Sequence, residues 1–253
     1  MADTQVGLQM YTLRHESEKD FVGTLEMVAK MGFQGVEFAG YWGLTTKELK
    51  STIDALGLQT ASNHIKLTLL ENELSNVIDD QHVLENKHIV CPFLPSERRS
   101  KQDYYELIKV LNDIGRKCAE EGITLSYHNH DFELIELDNG EKPLELLLKE
   151  TNPEWVKAEL DIYWLTKAGE DPVEWLKRYQ NRTPLIHLKD MTVDGEKFFA
   201  ELGTGGVNLE GVLNEGNHSN IEWLIVEQDQ TKRSPIESIA MSMKYLKEKF
   251  ILI

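Results

Sequence analysis

The strongest constraint on this chain is an alternation, kept up nearly from end to end, of short strand-like apolar runs with stretches whose apolar residues recur at helical spacing. Such alternation favours parallel strands, because a parallel neighbour is reached only by a long return, usually a helix packed across the sheet. The first unit shows the pattern. Residues 6–13 form a strand-like run, and Phe21, Leu25, Val28 and Ala29 then share one helix face until Gly32 ends it.

Further strands are predicted at 35–38, 58–64, 88–91, 123–130, 156–162, 183–189 and 221–227. Helices are predicted at 46–56 closed by Gly57, around 74–84, and at 103–121 before Gly122. Pro143, Pro172 and Pro235 open later helices at the first turn, where the missing N–H costs least. Eight strand signals in 253 residues predict one (β/α)₈ barrel domain spanning 1–253. The rival is an open doubly wound sheet, which calls for a glycine-rich phosphate turn after the first strand. Tyr11, Thr12, Leu13, Arg14 and His15 offer none. Two longer connections, 132–142 and 191–210, are expected on the active-site face. The second contains Gly203, Thr204, Gly205 and Gly206, a weak phosphate-loop candidate that lacks lysine and a clean preceding strand.

A formal charge of −16 opposes nucleic acid and anionic membranes as partners. No apolar run approaches the roughly 20 residues of a membrane helix, and residues 1–5 lack a basic-then-apolar leader pattern, so a cytoplasmic protein is expected. Cys91 and Cys118 show no CxxC spacing and are expected to be buried thiols. A small-molecule partner is expected, and a homo-oligomer is compatible with the sequence.

Metal-capable side chains recur at the C-terminal ends of the predicted strands, which converge on one pocket in a barrel. Strands two and three deliver Glu37 and His64; strand five ends in Tyr127, His128, Asn129, His130 and Asp131, with Glu133 just beyond. Residues two apart in an extended segment share a face, which pairs His128 with His130, Glu159 with Asp161, His187 with Lys189, and Glu227 with Asp229. Buried carboxylates need a cation or a hydrogen-bonded partner, and imidazole serves equally as metal ligand and proton carrier. The mixed set suits Mn²⁺, Fe²⁺, Co²⁺ or Zn²⁺. A salt-bridge network around Lys189 is the plain alternative, and it accounts for only one or two of these residues.

The segments Gly-Leu-Gln-Met-Tyr-Thr-Leu-Arg, Tyr-His-Asn-His-Asp-Phe-Glu, Glu-Leu-Asp-Ile-Tyr-Trp, His-Leu-Lys-Asp and Val-Glu-Gln-Asp resemble the sugar phosphate isomerase/epimerase-like family. That family belongs with the xylose-isomerase-like TIM barrels, beside inosose dehydratase, hydroxypyruvate isomerase and ketose 3-epimerases. The resemblance implies one divalent ion, Mn²⁺ first and Zn²⁺, Co²⁺, Fe²⁺ or Mg²⁺ as alternatives, held by a Glu, an Asp, a His and a Glu from strands five to eight. Asp161, His187 and Glu227 take the last three places. Strand five departs from the pattern: either Glu133 reaches back, the favoured reading, or His128 or His130 substitutes.

The implied activity is isomerisation or epimerisation of a small keto-sugar through an enediolate. His128 or His130 would be acid or base, Lys189 and Glu37 would hold hydroxyls or stabilise negative charge, and His64 would orient substrate or relay a proton. A dehydratase is the alternative, because a histidine in place of the second carboxylate suits elimination as well. A non-catalytic sugar-binding barrel and an abasic-site endonuclease are further readings, the last opposed by the acidic charge. The missing phosphate loop favours an unphosphorylated sugar or an inositol-like ketone.

Overall fold

Eight parallel strands hydrogen-bond in a ring in this computed structural model, which describes residues 4–216 and 220–249. In chain order the strands are β1 Gln5–Gln9, β2 Gly35–Phe38, β3 Gln59–His64, β4 His88–Cys91, β5 Thr124–His128, β6 Val156–Asp161 and β7 Leu185–Leu188. A short antiparallel ribbon, β8 Asp190–Met191 with β9 Phe199–Ala200, precedes the last barrel strand, β10 Trp223–Val226. The ring closes where β1 pairs with both β2 and β10.

The side-chain alternation of the strands separates two apolar regions. Leu8, Val36, Leu125, Tyr127, Leu160, Ile186 and Leu224 join the main core with helix residues such as Leu25, Leu49 and Leu107. Inside the ring, Ala61, Val90, Leu185, Trp223 and Ile225 form a separate apolar floor. Gly35 makes room for it: a Cβ there would lie 2.6 Å from the Trp223 indole. Polar side chains occupy the barrel above that floor.

Several strands stop short of their apolar runs. β1 ends at Gln9 because Met10–Leu13 wind into a 3₁₀ turn, whose entry is held by the Gln9 side chain accepting from the Tyr11 N–H at 3.0 Å. The helix Lys101–Glu120 starts earlier than its apolar periodicity, at a capping box in which Ser100 and Asp103 satisfy each other's backbone N–H groups.

The glycine-rich run at 203–206 is already occupied by a carboxylate of the chain itself. Asp190 accepts from the N–H groups of Met191, Gly203, Gly205 and Val207 at 2.8, 3.0, 2.9 and 3.0 Å. Those amides are thus spent on an internal anion, which removes the run as a phosphate cradle. Both cysteines are buried and free, and burial pushes each thiol up to about 12. Among the described residues no helix is long and apolar enough to cross a membrane.

Candidate metal centre and active site

Strand register builds the site. His128 stands opposite Glu159 in the β5–β6 ladder, and Asp161, one pleat further on, stands opposite His187 in the β6–β7 ladder. The side chains inside the barrel therefore form two tiers. The lower tier holds Glu37, His64 and Glu159; the upper holds Asp161, Lys189, Glu227 and Asp229. His128 and His187 connect them, each with one ring nitrogen toward either tier.

His187 Nε2 lies 2.7 Å from Glu37 Oε1, and its Nδ1 lies 2.9 Å from Glu227 Oε2. His128 Nδ1 lies 2.9 Å from Glu159 Oε2, and its Nε2 lies 3.8 Å from Asp161 Oδ2. Glu37, Glu159, Asp161 and His187 are wholly buried. One oxygen of Asp161 caps the helix Ile162–Lys167 by accepting from the Tyr163 and Trp164 N–H groups at 2.9 and 3.1 Å. Its other oxygen, Oδ2, is buried without a hydrogen bond, though Lys189 Nζ sits 3.0 Å away.

Ligand atoms of His128, Asp161, His187 and Glu227 all lie within 4.8 Å of one another. A buried, incompletely satisfied carboxylate oxygen faced by two imidazole nitrogens and a second carboxylate suits a divalent ion. Lys189 supplies part of the countercharge, at 2.5 Å from Glu227 and 2.7 Å from Asp229. Burial opposes that ammonium, but Asp161, Asp229 and Glu227 outweigh it and hold Lys189 well above its ordinary value. Burial likewise opposes a charge on His64, yet Glu37 and Glu159 raise it to about 10. His130 is driven the other way, down to about 3, by burial and then by the Lys189 charge.

A cavity of about 310 Å³ reaches both tiers, touching His64 of the lower and Glu227 and Asp229 of the upper, and is lined also by Tyr11, Phe93, His128 and His130. His130 stacks on Phe132 at 5.4 Å with Trp164 at 5.3 Å and Phe93 at its edge, and its Nδ1 has no hydrogen-bond partner. Asp229 binds Lys189 through Oδ2 alone.

The structure thus gathers His64, His128, Asp161, His187, Lys189 and Glu227, with His130 on the cavity wall. Two expected site residues are placed differently. Glu133 lies behind β5, on the outer side where Tyr127 points: its carboxylate accepts from the Tyr127 hydroxyl at 2.7 Å and the His130 N–H at 2.8 Å. The 3₁₀ turn Phe132–Leu134 carries it there, and the barrel wall separates it from the ligand cluster. Glu37 is inside the barrel but enclosed, bound by Gln9 at 2.5 Å and by Ser62, His64 and His187, so no substrate hydroxyl reaches it.

Period-two spacing pairs Asp229 with Glu227 but gives it no role, and the structure sets it beside Lys189. Gln9 is not singled out by the sequence, because nothing local marks it.

The description "Xylose isomerase-like TIM barrel" fits residues 25–249 as a family model. The chain is similar to an inosose dehydratase of Clostridium tetani, 24% identical over 273 residues, with 92% of this chain and 91% of that protein covered. It is similar to the crystal structure of a sugar phosphate isomerase/epimerase from Parabacteroides distasonis, with a TM-score of 0.86, 27% identity, and 99% and 96% of the two chains covered. The crystal structure of the IOLI protein with a bound zinc atom shares the fold, with a TM-score of 0.79, 14% identity, and 99% and 100% of the two chains covered. With the closed eight-stranded barrel and the match over most of its length, the chain belongs to the xylose isomerase-like TIM barrel family.

Proposed function

We propose that this protein is a divalent-metal-dependent dehydratase of a small keto-sugar or cyclic polyol ketone. The observation that carries the reading is the ligand cluster of His128, Asp161, His187 and Glu227, of which His128 and Glu227 line a cavity that also presents His64 and Asp229. The zinc bound by the similar IOLI protein supports a divalent ion as the occupant. An ion held by these four residues supplies a Lewis acid for a carbonyl oxygen.

The chain's own groups account for the proton movements. Asp229, with one oxygen tied to Lys189, takes the proton from the carbon beside the carbonyl. Lys189 stays charged throughout and offsets the negative charge that develops on the substrate. His64, protonated between Glu37 and Glu159, donates to the departing hydroxyl, which leaves as water while the carbon–carbon double bond forms. His130 stays neutral and forms part of the cavity wall. Tyr11 and Phe93, each more than two-fifths exposed, offer apolar faces to the C–H side of a sugar ring.

Dehydration is favoured over epimerisation because Glu133 lies outside the barrel interior. An epimerase needs acid/base groups on both faces of the substrate, and Glu133 is not available as the second carboxylate. The name of the Clostridium tetani relative supports the same choice. Isomerisation is the second reading, supported by the likeness to the Parabacteroides distasonis sugar phosphate isomerase/epimerase.

The test is a panel of ketoses and inososes incubated in D₂O with the metal-loaded protein and followed by NMR and mass spectrometry. Loss of one water, abolished by a chelator, is the expected result. Deuterium incorporation without water loss would favour isomerisation, and no exchange with any ketone would overturn both readings.

A further inference from the structure

We propose that Glu159 is a positioning residue that orients His128 as a metal ligand, and that the resulting centre selects imidazole-preferring ions such as Zn²⁺ and Co²⁺ over Mg²⁺. The proposal rests on the metal reading above and names how this chain builds the strand-five place.

The first ground is register. His128 and Glu159 are Cα partners on neighbouring parallel strands and both point into the barrel, so the ladder itself brings imidazole and carboxylate together at 2.9 Å. A neutral imidazole carries one N–H and one lone pair. With the Nδ1 proton given to Glu159, the lone pair is left on Nε2, which faces Asp161 Oδ2 at 3.8 Å. His187 is backed in the same manner from the other side. Its Nε2 meets Glu37 at 2.7 Å, and its Nδ1 faces Glu227 at 2.9 Å and Asp161 at 3.9 Å. Metal-bound histidines ordinarily give their second nitrogen to such a carboxylate, which fixes the tautomer and the ring plane.

The second ground is the position of Glu159. It is wholly buried beneath the histidines and does not line the cavity. Its Oε2 faces His64, His128 and His187 at 2.7, 2.9 and 3.3 Å, while its Oε1 has no hydrogen-bond partner. A carboxylate kept in such a place is costly unless the groups it touches need it, and those groups are imidazoles. Glu159 therefore acts through the imidazoles around it, and on the proposed ligands most directly through His128, rather than on substrate.

The third ground is the donor set. Two imidazole nitrogens and two carboxylates suit Zn²⁺, Co²⁺ or Fe²⁺, whereas Mg²⁺ demands oxygen ligands and keeps its waters. Such a centre reverses the order that places Mn²⁺ first, because His128 stands where a carboxylate would favour harder ions.

The test uses the full chain stripped by a chelator and titrated with Zn²⁺, Co²⁺ and Mg²⁺ by calorimetry. ¹⁵N NMR of histidine-labelled protein reports the tautomer, and the Co²⁺ form reports its ligands by visible absorption. The expected result is Zn²⁺ binding at least about 100-fold tighter than Mg²⁺, with His128 protonated at Nδ1. Glu159→Gln should weaken Zn²⁺ binding about 10- to 100-fold and alter the Co²⁺ spectrum, with Glu159→Asp recovering part of the loss. His128→Glu should move the preference toward Mg²⁺. Zn²⁺ affinity in Glu159→Gln within about twofold of wild type overturns the proposal, since loss of such a partner normally costs at least tenfold. So does an Nε2–H tautomer of His128 in the wild-type protein, a measurement that does not depend on any variant folding. Binding of no divalent ion by the wild type would instead overturn the metal reading itself.

Discussion

His128 and Glu133 come from one short segment and end on opposite sides of β5. His128 is the last residue of the strand and faces inward, while Glu133 follows a 3₁₀ turn and packs behind Tyr127. Burial lifts its carboxyl to about 7, against the opposing pull of the Tyr127 hydroxyl and the His130 N–H. A folded value above the unfolded one of about 4.3 means that the protonated form is preferred in the fold. Its stabilisation is full below pH 4 and is lost as pH rises through about 7, a swing on the order of 3 kcal/mol. In Glu133→Gln that swing is absent. Urea unfolding between pH 5 and 8 should show the variant gaining on wild type as pH rises; a difference constant with pH would refute the assignment.

At the scale of the element, the connection from β7 to β10 depends on a single carboxylate. Asp190 gathers four backbone N–H groups and so closes the glycine-rich turn onto the ribbon. Gly205 is tight in the same place, where a Cβ would meet the Met191 carbonyl oxygen at 2.3 Å. Asp190→Ala leaves those donors without their acceptor, and a loss of about 3 kcal/mol or more is expected, read from urea unfolding. Asp190→Asn should recover part of it, because one amide oxygen still accepts. A loss under 1 kcal/mol (roughly the worth of one ordinary hydrogen bond) would mean that water replaces the carboxylate without penalty.

For the whole molecule the dominant feature is a set of carboxylates held inside the barrel of a chain already at −16. Glu37, Glu159, Asp161 and Glu227 are buried, against one buried lysine and the histidines between them. A cation that binds the folded chain and not the unfolded one stabilises it by about 2.7 kcal/mol at a hundredfold excess over its Kd. Chelation should therefore lower the melting temperature by several degrees, roughly 2–4 °C for each kcal/mol at this size, and added Zn²⁺ should restore it in scanning calorimetry. An unchanged melting temperature would count against a resident ion.

The amino-acid sequence alone determined the eight strands, their parallel sense and the inner-face pairs such as Glu159 with Asp161 and His187 with Lys189. Helical and period-two spacings are local properties, legible within a dozen residues. Glu37, by contrast, meets His187 across 150 residues of chain. Its enclosure follows from closure of the ring and the stagger of strands, which no local pattern encodes. The outward place of Glu133, the Asp190 carboxylate inside the glycine turn and the Glu159–His128 pair were likewise decided only by tertiary structure. Each depends on which strand lies beside which, at what register, and on where the chain turns at the rim.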